Sequence, residues 1–326
     1  MEIGNILCDI LSAPHGTISM HQNVSIAQAI VLSCFDFSGP RNKIVYTGMN
    51  FPSVMYVMEE QKRRGARIVD VPSVDHIGVD QEQLLAAIDE ETLLVPVSHV
   101  LFRSSFIQDA EAIVKRAHDV GAMVILDTYQ SAGAVPVELE RWNVDFAVGG
   151  SVKWLMGGPG AGYLYVRPDL ADTLRPMNTG WQAHARPFEF EAGAIDWGTP
   201  AFRFLNGTPN IPAMYAARTG YEIIREIGVD RIRERSLTLT QAIIDAAREA
   251  DLPVTCPDDD ARRGGTVAID APEGKAVCEE LNRRDFVCDY RPLAGVRLGP
   301  HFFNTHDECD AVVAEIVKIL KERGLR

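Results

Sequence analysis

The sequence MVILDTYQ at residues 123–130 and the sequence FAVGGSVKW at residues 146–154 decide the fold. Each begins with a short apolar run of the kind that forms a strand buried on both faces of a sheet. The first run ends on the carboxylate of Asp127, and the second leads to the amine of Lys153. A glycine-rich loop, residues 157–160, follows the lysine. The two stretches therefore predict neighbouring strand ends, one with an acid and the other with an amine.

Strand-like and helical patterns alternate around these two stretches, from about residue 40 to residue 170. The helical patterns include Gln81–Ile88 and Asp109–Asp119. The candidate strands are Lys43–Thr47, Arg67–Val71, Leu93–Val97, Met123–Asp127, Asp145–Val148 and Gly162–Val166. This alternation predicts an α/β domain with a mostly parallel sheet covered by helices on both faces. Ligands of such sheets bind outside the carboxyl ends of the strands, where Asp127 and Lys153 are expected.

The rest of the chain predicts a second, smaller unit. An irregular stretch at 171–212 is rich in Gly, Pro and aromatic residues, and a helical pattern follows over Pro212–Ala250. Further elements are predicted as strands at Gly265–Asp270, Phe286–Asp289 and Val296–Leu298 and a closing helix at Asp307–Arg323. We therefore predict a large domain at 1–212 and a small α+β domain at 213–326. The aspartate-rich stretch Pro257–Arg263 is predicted to be a solvated loop.

Composition excludes several classes of function. The 326-residue chain has a formal net charge of −13, which disfavours a surface for nucleic acid or anionic membranes. Its six cysteines are scattered without metal-like spacing, a pattern typical of reduced thiols, and no metal site is predicted. The sequence has no apolar run of membrane-spanning length and no signal-like start. We predict a cytoplasmic protein that binds neither nucleic acid nor membranes.

The acid and the amine together indicate one cofactor. A buried lysine has a lowered pKa, so its amine becomes nucleophilic near neutral pH. A carboxylate that faces a pyridine nitrogen keeps the nitrogen protonated, so that the ring accepts electrons. Asp127 and Lys153 therefore indicate pyridoxal 5′-phosphate. The sequence Asn23-Val24-Ser25 is predicted to open a helix, and the free amides of a helix N-terminus suit the phosphate.

Several motifs carry a resemblance to a known family. The pattern Asp127-x-x-Gln130, followed by Ser151-Val152-Lys153 and a Gly-Pro-Gly loop, resembles the class V aminotransferase group of fold-type I pyridoxal-phosphate enzymes. This group includes kynureninases, cysteine desulfurases and selenocysteine lyases. The stretches 141–146, 288–291 and 295–300 resemble the kynureninase branch, and the resemblance runs through almost the whole chain. It implies an enzyme that acts on an amino acid.

The resemblance also implies contacts with the cofactor at matching positions. Asp127 is expected to pair with the pyridine nitrogen, Gln130 to lie near the phenolic oxygen, and Phe51 to stack on the ring. Val24, Ser25 and Ser151 are expected to hold the phosphate. Thr208, in Gly207-Thr208-Pro209-Asn210, matches a threonine that reaches the phosphate of the neighbouring subunit. A homodimer with shared active sites is therefore implied.

Substrate contacts are implied in the same way. Arg297 matches the arginine that grips the substrate α-carboxylate, a task suited to the two-pronged guanidinium. Trp181 and Asn206 match positions that line the substrate pocket in kynureninases. The family usually has several dozen residues before the segment that corresponds to Met1–Ser12. We therefore expect that the N-terminal part of the large domain is truncated.

Departures from the kynureninase pattern leave the reaction open. Val54 stands where an aspartate is expected, Gln130 where a histidine is expected, and Val152 where a tyrosine precedes the lysine. Desulfurases need a nucleophilic cysteine just before the final arginine segment, and the interval from Arg291 to Arg297 has none. The sequence predicts a kynureninase-like hydrolase or lyase. The alternatives are a lyase for carbon–sulfur bonds of the cysteine type, an aminotransferase, or a catalytically impaired homologue that serves as a binding or scaffold protein.

Overall fold

The computed structural model describes residues 1–326, and its main feature is a seven-stranded sheet. The strands are β1 (Ile18–His21), β2 (Lys43–Thr47), β3 (Arg67–Val71), β4 (Thr92–Ser98), β5 (Met123–Asp127), β6 (Phe146–Gly150) and β7 (Gly162–Val166). They lie in the order β1-β7-β6-β5-β4-β2-β3. The five strands from β3 to β6 pair in parallel, while β7 is antiparallel to both β6 and β1. The predicted mostly parallel α/β sheet is confirmed.

Eleven α-helices surround this sheet or follow it. They are α1 (Glu2–Leu11), α2 (Val24–Leu32), α3 (Pro52–Glu59), α4 (Gln81–Ala87), α5 (Ala110–Asp119), α6 (Pro168–Thr173), α7 (Pro200–Arg203), α8 (Ile211–Ile227), α9 (Val229–Glu249), α10 (Gly274–Arg283) and α11 (His306–Glu322). Helices α1, α5 and α8 pack in one core on one face of the sheet, and α2 and α3 pack in a separate core on the other face. Both faces are therefore buried, which explains why the central strands are continuously apolar.

A second sheet lies in the C-terminal part of the chain. It consists of β8 (Val267–Ile269), β9 (Asp289–Arg291) and β10 (Gly295–Leu298), antiparallel in the order β8-β10-β9. Helices α9, α10 and α11 pack against it around a core of their own. Helix α11 begins with a capping box, in which the side chains of Thr305 and Glu308 each bind the other's backbone amide. None of the helices in the protein combines the length and the apolar character that a membrane span needs.

The prediction of one long helix was wrong. The helical pattern over Pro212–Ala250 is not one helix, because Gly228 takes a φ of +87° and separates α8 from α9. The aspartates of the loop Pro257–Arg263 are exposed, as predicted. The Arg263 side chain at its end is instead completely buried and donates to the carbonyls of Pro257 and Asp258. It also donates to the Gln241 side chain on α9, which ties the loop to the body of the protein.

The sequence pattern missed β1 and placed Asp145 inside a strand. Strand β1 has only four residues and is fully buried between α1 and β7, too short for a period to be recognised. Strand β6 begins at Phe146, since the buried carboxylate of Asp145 accepts from the amide of Val124 at 2.7 Å and pairs with Arg167 at 2.9 Å. Asp145 therefore links three segments of the sheet instead of extending one strand.

Candidate active site

A cavity of about 560 Å³ lies at the carboxyl ends of the parallel strands. Its wall includes Ser98 at the end of β4, Asp127 at the end of β5 and Lys153 three residues beyond β6. The N-terminus of α2 forms another part of the wall. The pairing of β5 between β4 and β6 brings these groups together, although they are far apart in sequence. The cavity is thus where a doubly covered sheet is expected to bind a ligand.

Asp127 forms the acidic end of the cavity. Its side chain is almost fully buried, at 5% exposure, and the Tyr129 amide donates to Oδ1 at 2.9 Å. The Ser98 hydroxyl lies 3.4 Å from Oδ2. Burial raises the pKa of Asp127 to about 6, opposed by the Tyr129 amide and by the charge of Lys153. Because burial outweighs the hydrogen bonds, this carboxylate is suited to a cationic N–H partner brought in by a ligand.

Lys153 supplies the basic group. Burial lowers its pKa to about 8; the charge of Asp127 acts against this, and that of Arg297 adds to it. A tight turn fixes the backbone here, since the Met156 amide donates to the Lys153 carbonyl at 2.9 Å. The Nζ atom lies 5.7 Å from the ring centroid of Phe51 and 4.7 Å from that of Tyr129. The neutral, nucleophilic form of this amine is therefore more accessible near neutral pH than that of an exposed lysine, although the charged form still predominates.

The N-terminus of α2 faces the same cavity through Val24 and Ser25. Asn23 caps this helix, its side chain accepting from the Ile26 amide at 3.0 Å. Gly162 of β7 allows the helix to start here, because a Cβ on that residue would lie 2.8 Å from the Cα of Asn23. The first amides of a helix have no acceptor within the helix, and its dipole favours an anion at this end. This corner of the cavity is therefore suited to a phosphate.

Arg297 lies behind the cavity wall. It is opposite Asp289 in the β9–β10 pair and binds it with two hydrogen bonds, Nε to Oδ1 at 2.7 Å and Nη2 to Oδ2 at 2.6 Å. Its third nitrogen donates to the carbonyl of Phe102, a residue of the cavity wall. Arg291 also pairs with Asp289, at 2.9 Å. The small sheet thus brings a guanidinium next to the cavity, held by an acid and a carbonyl.

The structure brings most of the predicted cofactor residues together. Those that line the cavity are Val24, Ser25, Phe51, Asp127, Gln130 and Lys153. Ser151 does not line it, because its hydroxyl is buried and bonds to the Ala161 carbonyl and the Tyr221 hydroxyl. Of the positions that depart from the kynureninase pattern, Val152 lines the cavity, whereas Val54 is buried outside its wall.

Three further predicted residues lie elsewhere. Thr208 and Asn206 line a second cavity of about 230 Å³, which shares only Ile26 with the first. Trp181 is 37% exposed and packs against two exposed aromatic rings, Phe188 and Phe190. Within one copy of the chain, these three residues are not part of the cavity that holds Asp127 and Lys153.

Sequence reasoning missed other residues of the cavity wall. Ser98 directly follows the predicted strand Leu93–Val97 and is the last residue of β4. The rule that ligands bind at the carboxyl ends of parallel strands would identify it. Tyr129 lies inside the quoted motif, between Asp127 and Gln130, and the motif assigns it no contact. Phe102 stacks edge-on against Phe51, with ring centroids 5.2 Å apart. It lies in a loop, and no pattern in the sequence indicates its position.

Comparison with known proteins identifies the family of the chain. The profile of the family described as aminotransferase class-V matches residues 10–285. The chain belongs to this family. It is 31% identical to an uncharacterized aminotransferase, YcbU, of Bacillus subtilis (strain 168), over 96% of the chain and 81% of that protein. It is also 31% identical to a kynureninase of Pseudomonas fluorescens, over 91% of the chain and 73% of that protein. The family resemblance predicted from the motifs is confirmed.

The fold matches solved structures as well. An apo cysteine desulfurase from Thermococcus onnurineus NA1 superposes with a TM-score of 0.87 at 23% identity, covering 98% of this chain and 83% of that one. This likeness shows the fold, which is that of fold type I. Membership of the aminotransferase class-V family and the identity to a kynureninase make the protein an enzyme whose cofactor is pyridoxal 5′-phosphate. The cavity fits this cofactor, because it combines a buried acid, an amine of lowered pKa and a free helix N-terminus. These are the partners that a pyridine nitrogen, an aldehyde and a phosphate need.

Proposed function

We propose that the protein acts on an amino acid as a kynureninase-like hydrolase or lyase. The observation that carries this proposal is the placement of Arg297 against the wall of the cavity that holds Asp127 and Lys153, where its guanidinium donates to the carbonyl of Phe102. An arginine next to a nucleophilic amine is the arrangement that an α-amino carboxylate requires. The 31% identity to a kynureninase supports the branch.

Each residue has a proposed task in this reaction. The cofactor, when bound, withdraws electrons from the bond that breaks. Lys153 would hold the cofactor through Nζ, and the same atom, once free, would take the α-proton of the substrate. Asp127 keeps the pyridine nitrogen protonated, and the α2 amides with Ser25 bind the phosphate. Phe51 and Gln130 contact the ring and its phenolic oxygen, and Arg297 orients the substrate carboxylate.

A lyase for carbon–sulfur bonds is the second candidate. Gln130, which matches the desulfurase and lyase side of the group, lies on the cavity wall and is the acceptor for Trp154 Nε1 at 3.4 Å. A persulfide on the protein is disfavoured in this candidate, since Cys288 lies against Cys278 with a sulfur–sulfur distance of 3.6 Å, and burial raises the pKa of Cys288 to about 12. This version of the enzyme would break the bond by β-elimination alone.

The remaining roles depend on a second copy of the chain. We propose that Thr208 reaches the phosphate of a neighbouring subunit and that Asn206 and Trp181 complete its substrate pocket. All three lie outside the cavity that holds Asp127 and Lys153 of the same chain, which supports this arrangement. The proposed domains are 1–212 and 213–326, and the cytoplasmic location stays a prediction.

Product analysis tests the proposed reaction. Purified protein loaded with the cofactor is incubated with kynurenine, and the products are separated and identified. The hydrolase proposal expects anthranilate and alanine in equal amounts. If kynurenine is untouched while cysteine or cystine releases pyruvate and a sulfur species, the carbon–sulfur lyase is correct. If an amino group appears on an added keto acid instead, the protein is an aminotransferase.

Arg297→Lys is expected to raise the KM for the amino-acid substrate by about 100-fold, with a smaller change in kcat, because lysine cannot form the two-pronged contact with a carboxylate. Steady-state kinetics measure the two constants. Arg291→Lys is the matched control, since Arg291 binds the same Asp289 but does not contact the cavity wall. An unchanged KM in Arg297→Lys contradicts the assignment of Arg297 to the substrate carboxylate.

A further inference from the structure

The ring of Tyr129 is the nearest aromatic group to the amine of Lys153. Its centroid lies 4.7 Å from Nζ, compared with 5.7 Å for Phe51. Asp127 and Asp289 act on the amine through charge, without a hydrogen bond. A cation within about 6 Å of a ring face is attracted by the quadrupole of the ring, and more strongly where water is excluded. Of the two rings, that of Tyr129 is therefore the better placed to hold this amine.

The backbone on both sides fixes the position of this ring. The Tyr129 amide donates to Oδ1 of Asp127 at 2.9 Å, which ties the residue to the acid of the site. On the other side the ring packs against Gly150 of β6, where an added Cβ would lie 2.6 Å from a ring carbon. Only glycine leaves this space, and Gly150 is three residues before Lys153. The strand that carries the lysine is thus shaped to accept the tyrosine.

The contribution of the Tyr129 ring to the pKa of Lys153 can be separated from that of the charged groups around the amine. Asp127 and Asp289 favour the charged amine, whereas Arg297, Arg291 and burial oppose it. Burial and the charge of Asp127 raise the pKa of Tyr129, so its phenol is neutral near pH 7. A neutral ring adds no net charge to this balance. Its effect on the lysine is therefore separable from the effects of the two acids and the two arginines.

We propose that Tyr129 is a positioning residue for Lys153: the face of the Tyr129 ring holds the Nζ amine of Lys153 beside Asp127. The proposal rests on the proposed function for the task of Lys153, and it adds a residue to the site that neither the motif nor the comparisons assign. The ring acts through Lys153. It keeps the amine at the end of β6 in the absence of any hydrogen bond to it.

Trace labelling of the cofactor-free protein tests this proposal. The full-length protein is treated with a small amount of acetic anhydride over a range of pH, and the acetylation of the Lys153 peptide is quantified by mass spectrometry. Tyr129→Leu and Tyr129→Met remove the ring, and both are expected to lower the pKa of Lys153 by about half a unit to one unit. Tyr129→Phe keeps the ring and is expected to match the wild type. Melting curves confirm that each variant is folded.

Gly150→Ala provides an independent variant, because it displaces the ring without removing it. It is expected to shift the pKa of Lys153 in the same direction as Tyr129→Leu. Gly39→Ala is the matched control, since a Cβ there meets nothing within 4 Å. An unchanged or raised pKa in the ring-less variants overturns the proposal, and so does a Tyr129→Phe variant that behaves like Tyr129→Leu. If wild-type Lys153 does not bind the cofactor covalently, the proposed function fails while the labelling result stands.

Discussion

Lys153→Ala is expected to reduce turnover of the amino-acid substrate by roughly 10⁴-fold, since it removes both the covalent anchor and the base. The geometry leaves no substitute. Lys153 is the lysine on the cavity wall. The proposed task of Asp127, at the other end, is to pair with the pyridine nitrogen. Steady-state assays with saturating cofactor measure the loss.

Two controls separate these roles of the lysine. Lys153→Arg keeps a positive charge at the site but cannot bind the aldehyde, and it is expected to be as inactive as Lys153→Ala. A small primary amine added to Lys153→Ala is expected to restore part of the proton transfer. Lys318→Ala, an exposed lysine on α11, is expected to be fully active. If Lys153→Ala keeps more than a tenth of the wild-type turnover, the assignment of Lys153 is wrong.

Asp127→Asn is expected to lower turnover by about 10²- to 10³-fold, because a neutral amide does not keep the pyridine nitrogen protonated and the electrostatic stabilisation of developing charge is lost. The Asn side chain preserves the size of the residue and an acceptor for the Tyr129 amide. The loss is therefore expected in kcat at saturating cofactor. A turnover near that of the wild type contradicts the pairing of Asp127 with the ring nitrogen.

The same substitution is expected to stabilise the cofactor-free protein at neutral pH. Burial raises the pKa of Asp127 from 3.8 in the unfolded chain to about 6, so the folded state binds the proton more tightly and stability falls as pH rises between those two values. Above pH 6 the charged carboxylate costs about 1–3 kcal/mol of unfolding free energy, which asparagine removes. Urea unfolding of both proteins at pH 7 measures the gain.

The pH dependence and a second buried aspartate provide the controls. Below about pH 4 Asp127 is protonated in both states, so the advantage of Asp127→Asn is expected to disappear. Asp145→Asn is expected to destabilise the protein by about 3 kcal/mol, because the buried Asp145 carboxylate is paired with Arg167. Opposite signs at two buried aspartates would show that Asp127 is kept for the ligand and Asp145 for the fold. If Asp127→Asn is the less stable protein at pH 7, this interpretation fails.

The residues of regular elements could be predicted because their patterns are local. Strand β5 was predicted with its correct bounds at Met123–Asp127, since four apolar residues in a row before the aspartate suit a central parallel strand. The placement of Asp127 and Lys153 at one edge of the sheet followed from the rule for strand ends. The helix that begins after Asn23 followed from its cap. These features depend on neighbours in sequence or on the topology that the alternating elements impose.

Features that depend on distant packing could not be predicted from patterns. The hydroxyl of Ser151 was expected to bind phosphate, yet it bonds to Tyr221, a partner seventy positions away on α8. The bond between Arg297 and the Phe102 carbonyl joins the small sheet to the wall of the cavity, and no spacing in the sequence indicates it. Thr208 and Asn206 lie in an irregular stretch, so periodicity places neither of them. The positions of the Ser151 hydroxyl and the Arg297 guanidinium are set by side-chain contacts that only the folded chain shows.

Reductive trapping tests the central claim most directly. Full-length wild-type protein is incubated with pyridoxal 5′-phosphate, treated with sodium borohydride and digested, and the peptides are analysed by mass spectrometry. We expect the reduced cofactor to be attached to the peptide that contains Lys153, with an absorption band near the visible–ultraviolet boundary before reduction that Lys153→Ala lacks. Attachment only to other lysines, or no attachment at all, would contradict a pyridoxal-phosphate site built on Asp127 and Lys153.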